Sequence, residues 1–518
     1  MSSRKLSSFT AGINPTRIVG SGDPIVRGLA YDSRVVEPGY LFYALDGLHT
    51  DGHLYIDQAI ARGAVAVIHS RPLSGYRAGI VYLQVDGPRS SMSPTAASFY
   101  ERPSERLAVV GVTGTEGKST SVYLIYQLLD LAGCPTGFFS TVTSRTGPEE
   151  VANSEHQTTP EAPAVQRMLA EMVDSGLEYA IIESSSHGLS PRTNRLADVA
   201  FDVAVMTNVT HEHLEFHGSW EQYRDDKANL FRALDRSEKA ATHRKRIAGR
   251  EREVPAFGVA NADDPSAGFF ARATAHPVYT YSASGGAADL RALEIRADRE
   301  GADFLLAESE ARWRARINLP GTFNVANTLA SLLVVSRMTA RPLADFVPLL
   351  PDLRPVRGRM TRLDRGQPFD LLVDYAHTPS SFEAILPAAR AQTKGRLIAL
   401  FGSAGERDVE KRRLQGEIAD RFCDIILLAD EDPRGEEPTA ILEEIAHAIT
   451  GKVNGESLFL IPDRLEAIRA ATRLARAGDT LLLLGKGHES SIIYRSGAIA
   501  WDEIGAAQRC LAELGYTG

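Results

Sequence analysis

The chain has 518 residues, 43% of them hydrophobic and 24% charged, with 57 Lys and Arg against 66 Asp and Glu for a formal net charge of −9. This composition belongs to a soluble globular protein of roughly three domains, and the acidic balance argues against a nucleic-acid groove as its main surface. The three scattered cysteines, Cys134, Cys423 and Cys510, give neither a disulfide framework nor a zinc pattern; with no signal-type apolar core in MSSRKLSSFTAG and no membrane-length apolar run, they predict a cytoplasmic protein.

In chain order, residues 39–44, 64–69 and 80–85 read as short strands, and 101–104 (ERPS) as a linker. Next comes LAVVGVTGTEGKSTS, residues 107–121: an apolar strand, a glycine-rich turn and then a helical pattern over 122–131. Backbone N–H groups in such a loop face polyphosphate oxygens, and the helix N-terminus adds a favourable dipole. Gly114, Thr115 and Gly117 form the turn; Lys118 is placed to reach the β- and γ-phosphates, and Ser119 or Thr120 to hold Mg²⁺. The loop is a variant, because the usual first glycine of the pattern is Val112 here. Residues 179–182 and 201–206 are continuous apolar runs, as expected for parallel strands buried on both faces. The basic run Arg244-Lys245-Arg246, with Arg250 and Arg252, reads as a solvated loop or helix face. A helical stretch over 324–338 closes the segment. From about 353, strands at 370–373, 396–401, 425–429, 458–461 and 480–484 alternate with helical patterns, predicting a doubly wound sheet.

Polar clusters follow the strands. Glu183 to His187, Asn208 to Gly218, Asp374 to His377, Gly402 to Asp408, Asp430 to Arg434 and Gly485 to Glu489 all stand where a strand ends. Open α/β sheets bind ligands beyond the carboxyl ends of their strands, so these clusters predict one active site shared by two α/β domains. Phosphoryl transfer needs cations, and Mg²⁺ prefers oxygen ligands, which Glu183 and the loop hydroxyls supply. His211, His213 and His217 lack the spacing of a zinc helix motif.

The set VTGTEGKST, SSSHGL, NVTHEHLEFHG, GTFNVANTLA, RGRM, VDYAHTP, GSAGERD, DEDPRGEEP and GKGHE, in this order between about residues 28 and 505, resembles the Mur ligases of cell-wall synthesis. Within them it is most similar to the member that adds the third residue of the peptide. The N-terminal DSR (32–34) and GYLFYALDGLHTDG (39–52) resemble that family's UDP-binding domain. The resemblance implies a three-domain α/β architecture: a UDP-substrate domain over 1–104, a central P-loop ATP-binding domain with a parallel sheet over 105–352, and a Rossmann-like, doubly wound amino-acid-binding domain over 353–518.

It also implies an ATP-dependent amide ligase and a monomer whose third domain swings to close the site. ATP would phosphorylate the free carboxyl group of UDP-N-acetylmuramoyl-L-alanyl-D-glutamate, and the amine of a diamino acid would displace the phosphate. By position, Lys118, Ser119 and Thr120 resemble the residues at ATP and the first Mg²⁺; Glu183 and His213 resemble metal ligands. Lys227 falls where the family has a carbamylated lysine supporting a second Mg²⁺. Asn324, Asn327, Arg359 and Asp374 match nucleotide positions. Ser33, Thr158, Thr159 and Ser185 match positions at the UDP-sugar dipeptide, as does either Arg192 or Arg195, because the spacing after His187 differs. Arg407, Arg434, Gly485 and Glu489 match positions around the diamino acid.

Three departures stand out. Glu116 replaces an asparagine beside the phosphates, where a carboxylate is expected to tilt outward or meet a Mg²⁺-bound water. Glu406 replaces the usual Asp beside Arg407. Glu431-Asp432-Pro433-Arg434 stands for the Asp-Asn-Pro-Arg of diaminopimelate-adding enzymes. There Arg434 favours a distal carboxylate, while the charge of Asp432 favours a bare ammonium as in lysine or ornithine. Two other readings are open: another ligase of the superfamily (D-alanyl-D-alanine-adding or folylpolyglutamate synthetase), which the EDPRGEEP and GKGHE pair opposes, and a non-catalytic ATP-binding protein.

Overall fold

A computed structural model describes residues 3–47, 50–153, 157–210, 214–236 and 242–518. Three sheets carry the architecture. The first has the order Arg17–Val19, Val81–Gln84, Ala66–His69, Tyr40–Tyr43, Gly28–Ala30, parallel except for its antiparallel first strand. The predicted strand runs near 39, 64 and 80 are its central members.

The second sheet has eleven strands. Its parallel centre runs Thr136–Phe139, Tyr179–Glu183, Ala108–Thr113, Val203–Met206, Phe257–Asn261 and Val278–Ser282. Ala108–Thr113 is buried along its whole length, which explains why it reads as an unbroken apolar run. Helices Lys118–Leu131 and Phe323–Thr339 cover one face, and Ala162–Asp174 and Trp220–Arg232 the other. Each fully buried Val, Leu or Ile contributes about 1.5–3 kcal/mol relative to exposure. Strands Leu290–Ala297, Ala302–Glu308 and Ala311–Ile317 extend the sheet; the last two are antiparallel to their neighbours, and Ala311–Ile317 alternates polar with apolar side chains.

The third sheet has the order Thr361–Leu363, Asp370–Asp374, Thr480–Leu484, Leu397–Phe401, Ile425–Leu428, Leu458–Leu460. Five strands are parallel, and the last in sequence lies between the two that come earliest among them. That is the doubly wound arrangement the sequence predicts, with its switch point beside Asp374 and Gly485.

The basic run is neither loop nor helix. Thr242–Ile247 and Arg250–Pro255 pair as an antiparallel hairpin. Alternation puts His243, Lys245 and Ile247 inside while Arg244 and Arg246 are exposed; the uniformly basic composition hides this period of two. The Lys245 Nζ donates to the carbonyls of Ser104 (2.9 Å), Leu107 (3.0 Å) and Ala200 (2.8 Å) and to Asp202 Oδ2 (2.6 Å). Burial lowers its pKa, and Asp202 opposes the shift. Among the described residues no helix is long and apolar enough to cross a membrane.

Candidate active site

The strand Ala108–Thr113 delivers the glycine loop to the space between the second and third sheets. Gly117 adopts φ +81°, in the left-handed region that L side chains avoid, and a Cβ there would meet Asn327 Oδ1 at 2.5 Å. A Cβ on Gly114 would lie 1.8 Å from Thr207 Oγ1. Asn208, at the end of the neighbouring strand, clamps the loop: its backbone carbonyl accepts from Thr115 N (2.8 Å) and its Oδ1 from Glu116 N (2.9 Å). Lys118 curls back, its Nζ donating to the Thr115 carbonyl at 2.8 Å.

Glu183 ends the buried strand Tyr179–Glu183 and is itself buried. Its carboxylate accepts from Ser119 Oγ (2.9 Å), Thr141 N (2.8 Å) and Thr141 Oγ1 (3.0 Å). Ser119 is therefore the loop hydroxyl that meets the acidic group, while Thr120 faces a different cavity. Lys227, on helix Trp220–Arg232, is 1% exposed; its Nζ donates to the Gly114 carbonyl at 2.6 Å and lies 4.3 Å from the Tyr223 ring centre. His217 is fully engaged, with Nδ1 at 2.7 Å from Asp226 Oδ2 and Nε2 at 3.1 Å from Ser186 Oγ. It anchors the helix that carries Lys227. His211 and His213 lie outside the described residues.

Two cavities of about 310 Å³ each meet at the loop. The first is polar. Lys118, Glu183 and Lys227 line it together with Thr158, Thr159, Ser185 and Arg195. Thr159 Oγ1 donates to the Glu183 carbonyl (3.0 Å) and accepts from Ser185 N (3.0 Å), which ties this wall to the acidic strand end. Arg195 is held at 2.8 Å from the Thr159 carbonyl and 3.0 Å from Glu161 Oε1. Arg192 is not in this wall: it is exposed and donates to the Phe216 carbonyl at 2.6 Å. Of the two arginines left open by the spacing, the fold brings Arg195 to the cavity.

The second cavity is more apolar. Gly117, Thr120, Asn327, Arg359 and Asp374 line it with Phe323, Ala326 and Ile385. Asn324 stands behind, its Oδ1 accepting from Asn327 Nδ2 at 3.2 Å. Asp374 caps the backbone N–H groups of Met360 (2.6 Å) and Ala376 (2.7 Å); burial raises its pKa and Arg359 opposes the shift.

Glu116 and Arg359 line both cavities. Glu116 does not tilt into solvent. Its Oε1 accepts from Thr378 Oγ1 at 2.9 Å, across the gap between the sheets. Thr378 is the N-cap of helix Pro379–Gln392, so the positive end of a helix dipole faces this carboxylate.

The predicted diamino-acid residues form a separate group behind Tyr375. The Tyr375 ring lines the first cavity and its hydroxyl donates to Glu489 Oε1 at 3.2 Å. Asp432 Oδ1 accepts from Lys486 Nζ and from Ile493 N, each at 2.9 Å. The charge of Asp432 is thus met inside the protein, and its contrast with a neutral asparagine does not by itself favour an ammonium ligand. Arg434 is half-buried at φ +55°, and Gly485 turns the chain at φ +101°. Arg407 is exposed, beside Glu406 at φ +55°. Ser33 stands apart in the N-terminal sheet region, buried, with its Oγ on Gln58 Oε1 at 2.8 Å.

Sequence reasoning passed over Thr141, Tyr223 and Lys486. Thr141 was accessible to it, since it follows the apolar run over 136–139 as Glu183 follows its own strand.

A phosphate loop whose serine meets a buried glutamate, walled by a second doubly wound sheet, defines a two-sheet P-loop α/β enzyme. Three family descriptions match it in order: Mur ligase family, catalytic domain, over residues 25–99; Mur ligase middle domain, over 112–335; and Mur ligase, glutamate ligase domain, over 358–487. The chain belongs to the Mur ligase family. It is 48% identical over 502 residues to the UDP-N-acetylmuramyl-tripeptide synthetase of Roseiflexus sp. (strain RS-1), covering 96% of each chain. It is 44% identical over 534 residues to the protein of the same name from Treponema denticola, covering 98% of each. A solved UDP-N-acetylmuramoyl-L-alanyl-D-glutamate–2,6-diaminopimelate ligase superposes with a TM-score of 0.62 at 27% identity, covering 99% of this chain and 100% of that one.

Proposed function

We propose that the protein is an ATP-dependent amide ligase of peptidoglycan synthesis that joins a diamino acid to UDP-N-acetylmuramoyl-L-alanyl-D-glutamate, working as a cytoplasmic monomer. The observation that carries this reading is the shared wall. A polar cavity and a more apolar one meet at Glu116 and Arg359, with Lys118 and the Ser119–Glu183 pair beside them.

A carboxylate resists attack by an amine because its leaving group would be oxide. ATP removes that obstacle. A carboxylate oxygen of the dipeptide's glutamate attacks the γ-phosphorus, the β,γ-bridging P–O bond breaks, and ADP leaves. The neutral amine then attacks the acyl carbon, a C–N bond replaces the C–O bond, phosphate leaves and the nitrogen gives up a proton. The residues position and neutralise. The second cavity takes the nucleoside, Phe323 and Ile385 against the base and Asn327 and Asp374 at its polar edge. Gly114 to Thr120 cradle the phosphates, and Lys118 uncurls to reach them. Thr158, Thr159, Ser185 and Arg195 hold the dipeptide in the first cavity, with Ser33 at its uridine end. Arg359 offers a fixed positive charge at the junction, where negative charge gathers.

Ser119 and Glu183 present the oxygen donors that Mg²⁺ prefers, and Glu183 is buried where a cation is needed to balance it. Two Mg²⁺ ions, held by Ser119, Glu183, His213 and a carbamylated Lys227, would supply the charge neutralisation of the triphosphate. Arg407, Asp432, Arg434, Gly485 and Glu489 face the diamino acid.

Phosphate release from ATP, measured with the UDP-dipeptide and with meso-diaminopimelate, L-lysine or L-ornithine in separate reactions, tests the reading. Release that requires both the dipeptide and one amino acid, with a product of matching mass, is expected and names the third substrate. Nucleotide binding without release in any reaction would reject it.

A further inference from the structure

Lys486 has no role in the reading above. It follows Gly485, whose φ of +101° turns the chain inward after strand Thr480–Leu484, and the turn closes with Glu489 N donating to the Lys486 carbonyl at 2.7 Å. The side chain is 0% exposed. Its ammonium donates to Asp432 Oδ1 at 2.9 Å and to Glu489 Oε2.

We infer that Lys486 is a positioning residue for the amino-acid end of the site: its buried ammonium holds the Glu489 carboxylate in place, so that Glu489 receives the ammonium of the incoming diamino acid. The inference deepens the ligase reading and rests on it. Three carboxylates, Glu431, Asp432 and Glu489, stand near this one lysine. Asp432 is itself fixed by Ile493 N on the same carboxylate oxygen, so Lys486 is braced against an anchored group. The second Glu489 oxygen accepts from Tyr375, whose ring lines the first cavity with the Arg359 guanidinium 4.7 Å from its centre. Lys486 thus acts two residues removed from the cavity, through Glu489 and Tyr375.

The electrostatics agree. Burial raises the pKa of Glu489, Asp432 and Glu431 raise it further, and Lys486 is the charge that opposes them. Without the lysine, burial and the two neighbouring carboxylates push a proton onto Glu489 against only the Tyr375 hydroxyl, and a neutral carboxyl group is a poor receiver for an ammonium.

Steady-state kinetics on K486M, K486R and the charge-balanced double variant D432N/K486M test the inference. In K486M and in the double variant, the KM for the diamino acid is expected to rise about tenfold or more, with the KM values for ATP and the UDP-dipeptide within about threefold of wild type. K486R, which keeps the charge, is expected to recover most of the loss. The acid limb of kcat/KM for the diamino acid should move to higher pH in K486M, since Glu489 then faces Asp432 and Glu431 without its counter-charge and keeps only the Tyr375 hydroxyl as a donor. An unchanged KM for the diamino acid, an equal rise in all three KM values, loss of nucleotide binding in both methionine variants, or K486R as impaired as K486M would each overturn it. Wild-type protein that turns over no diamino acid would instead strike the ligase reading.

Discussion

At Glu183 a single carboxylate gathers three donors from one strand end and one helix. Ser119 and Thr141 hold both oxygens in place, so the group is oriented before any ligand arrives. Glu183→Gln keeps the shape and removes the charge. It should lower kcat by about 10²–10³-fold, the scale of removing one preorganised electrostatic group, while the melting temperature stays near wild type. A kcat within a factor of about three of wild type across a Mg²⁺ titration would show that this charge does not support the phosphoryl step. Residues of this kind were legible because chemistry and position coincide: Lys118, Ser119 and Glu183 sit where a strand ends and are polar where the pattern is otherwise apolar. Lys245 was not legible. One lysine in a basic run looks like its neighbours, and only the pairing of residues 242–247 with 250–255 decides which one turns inward. Arg192 and Arg195 show the same limit, since composition cannot tell which of two arginines three residues apart reaches a cavity.

At the scale of elements, the loop and its helix were readable in advance because a strand, a glycine turn and a helix each leave a local pattern. Pairing partners are non-local and leave none. The clamp of Asn208 on Glu116 and the reach of Thr378 to Glu116 depend on separations of 92 and 262 residues. The loop's own geometry gives a sharp expectation. Gly117→Ala places a Cβ at positive φ, at a cost of about 1 kcal/mol, and drives it against Asn327 Oδ1. Nucleotide affinity should fall about tenfold or more, because Asn327 must leave the wall of the second cavity to make room. Titration with ATP checks this, and affinity equal to wild type would show that the wall is pliant at that point.

Over the whole molecule, buried charges set the response to pH. Asp430 ends a strand of the third sheet, and burial pushes its carboxyl up to about 6, opposed by the Tyr494 hydroxyl at 2.9 Å and by Arg464. The folded state therefore binds this proton more tightly than the unfolded chain, whose aspartates titrate near 3.9. The resulting stabilisation is present in full below about pH 4 and is lost as the pH rises towards 6. Two pKa units correspond to up to ~3 kcal/mol. Asp430→Asn should flatten the fall in stability between about pH 4 and 6, read as urea midpoints at several pH values. A slope unchanged from wild type would assign the pH response to other groups.

The ammonium of Lys245 reaches further than its own pocket. It grips the carbonyls of Ser104 and Leu107 in the connection between the first two sheets and that of Ala200 just before the strand Val203–Met206. Rotating the N-terminal sheet about that connection would pull the Ser104 carbonyl away from a buried cation. The connection to the third sheet is held more lightly, by the side-chain amide of Gln127 paired with the backbone of Arg354 at 2.9 and 3.0 Å. One joint of the molecule is welded and the other is merely latched. On the ligase reading, motion that admits a nucleotide is expected to concentrate at the latch, with the first two sheets travelling together.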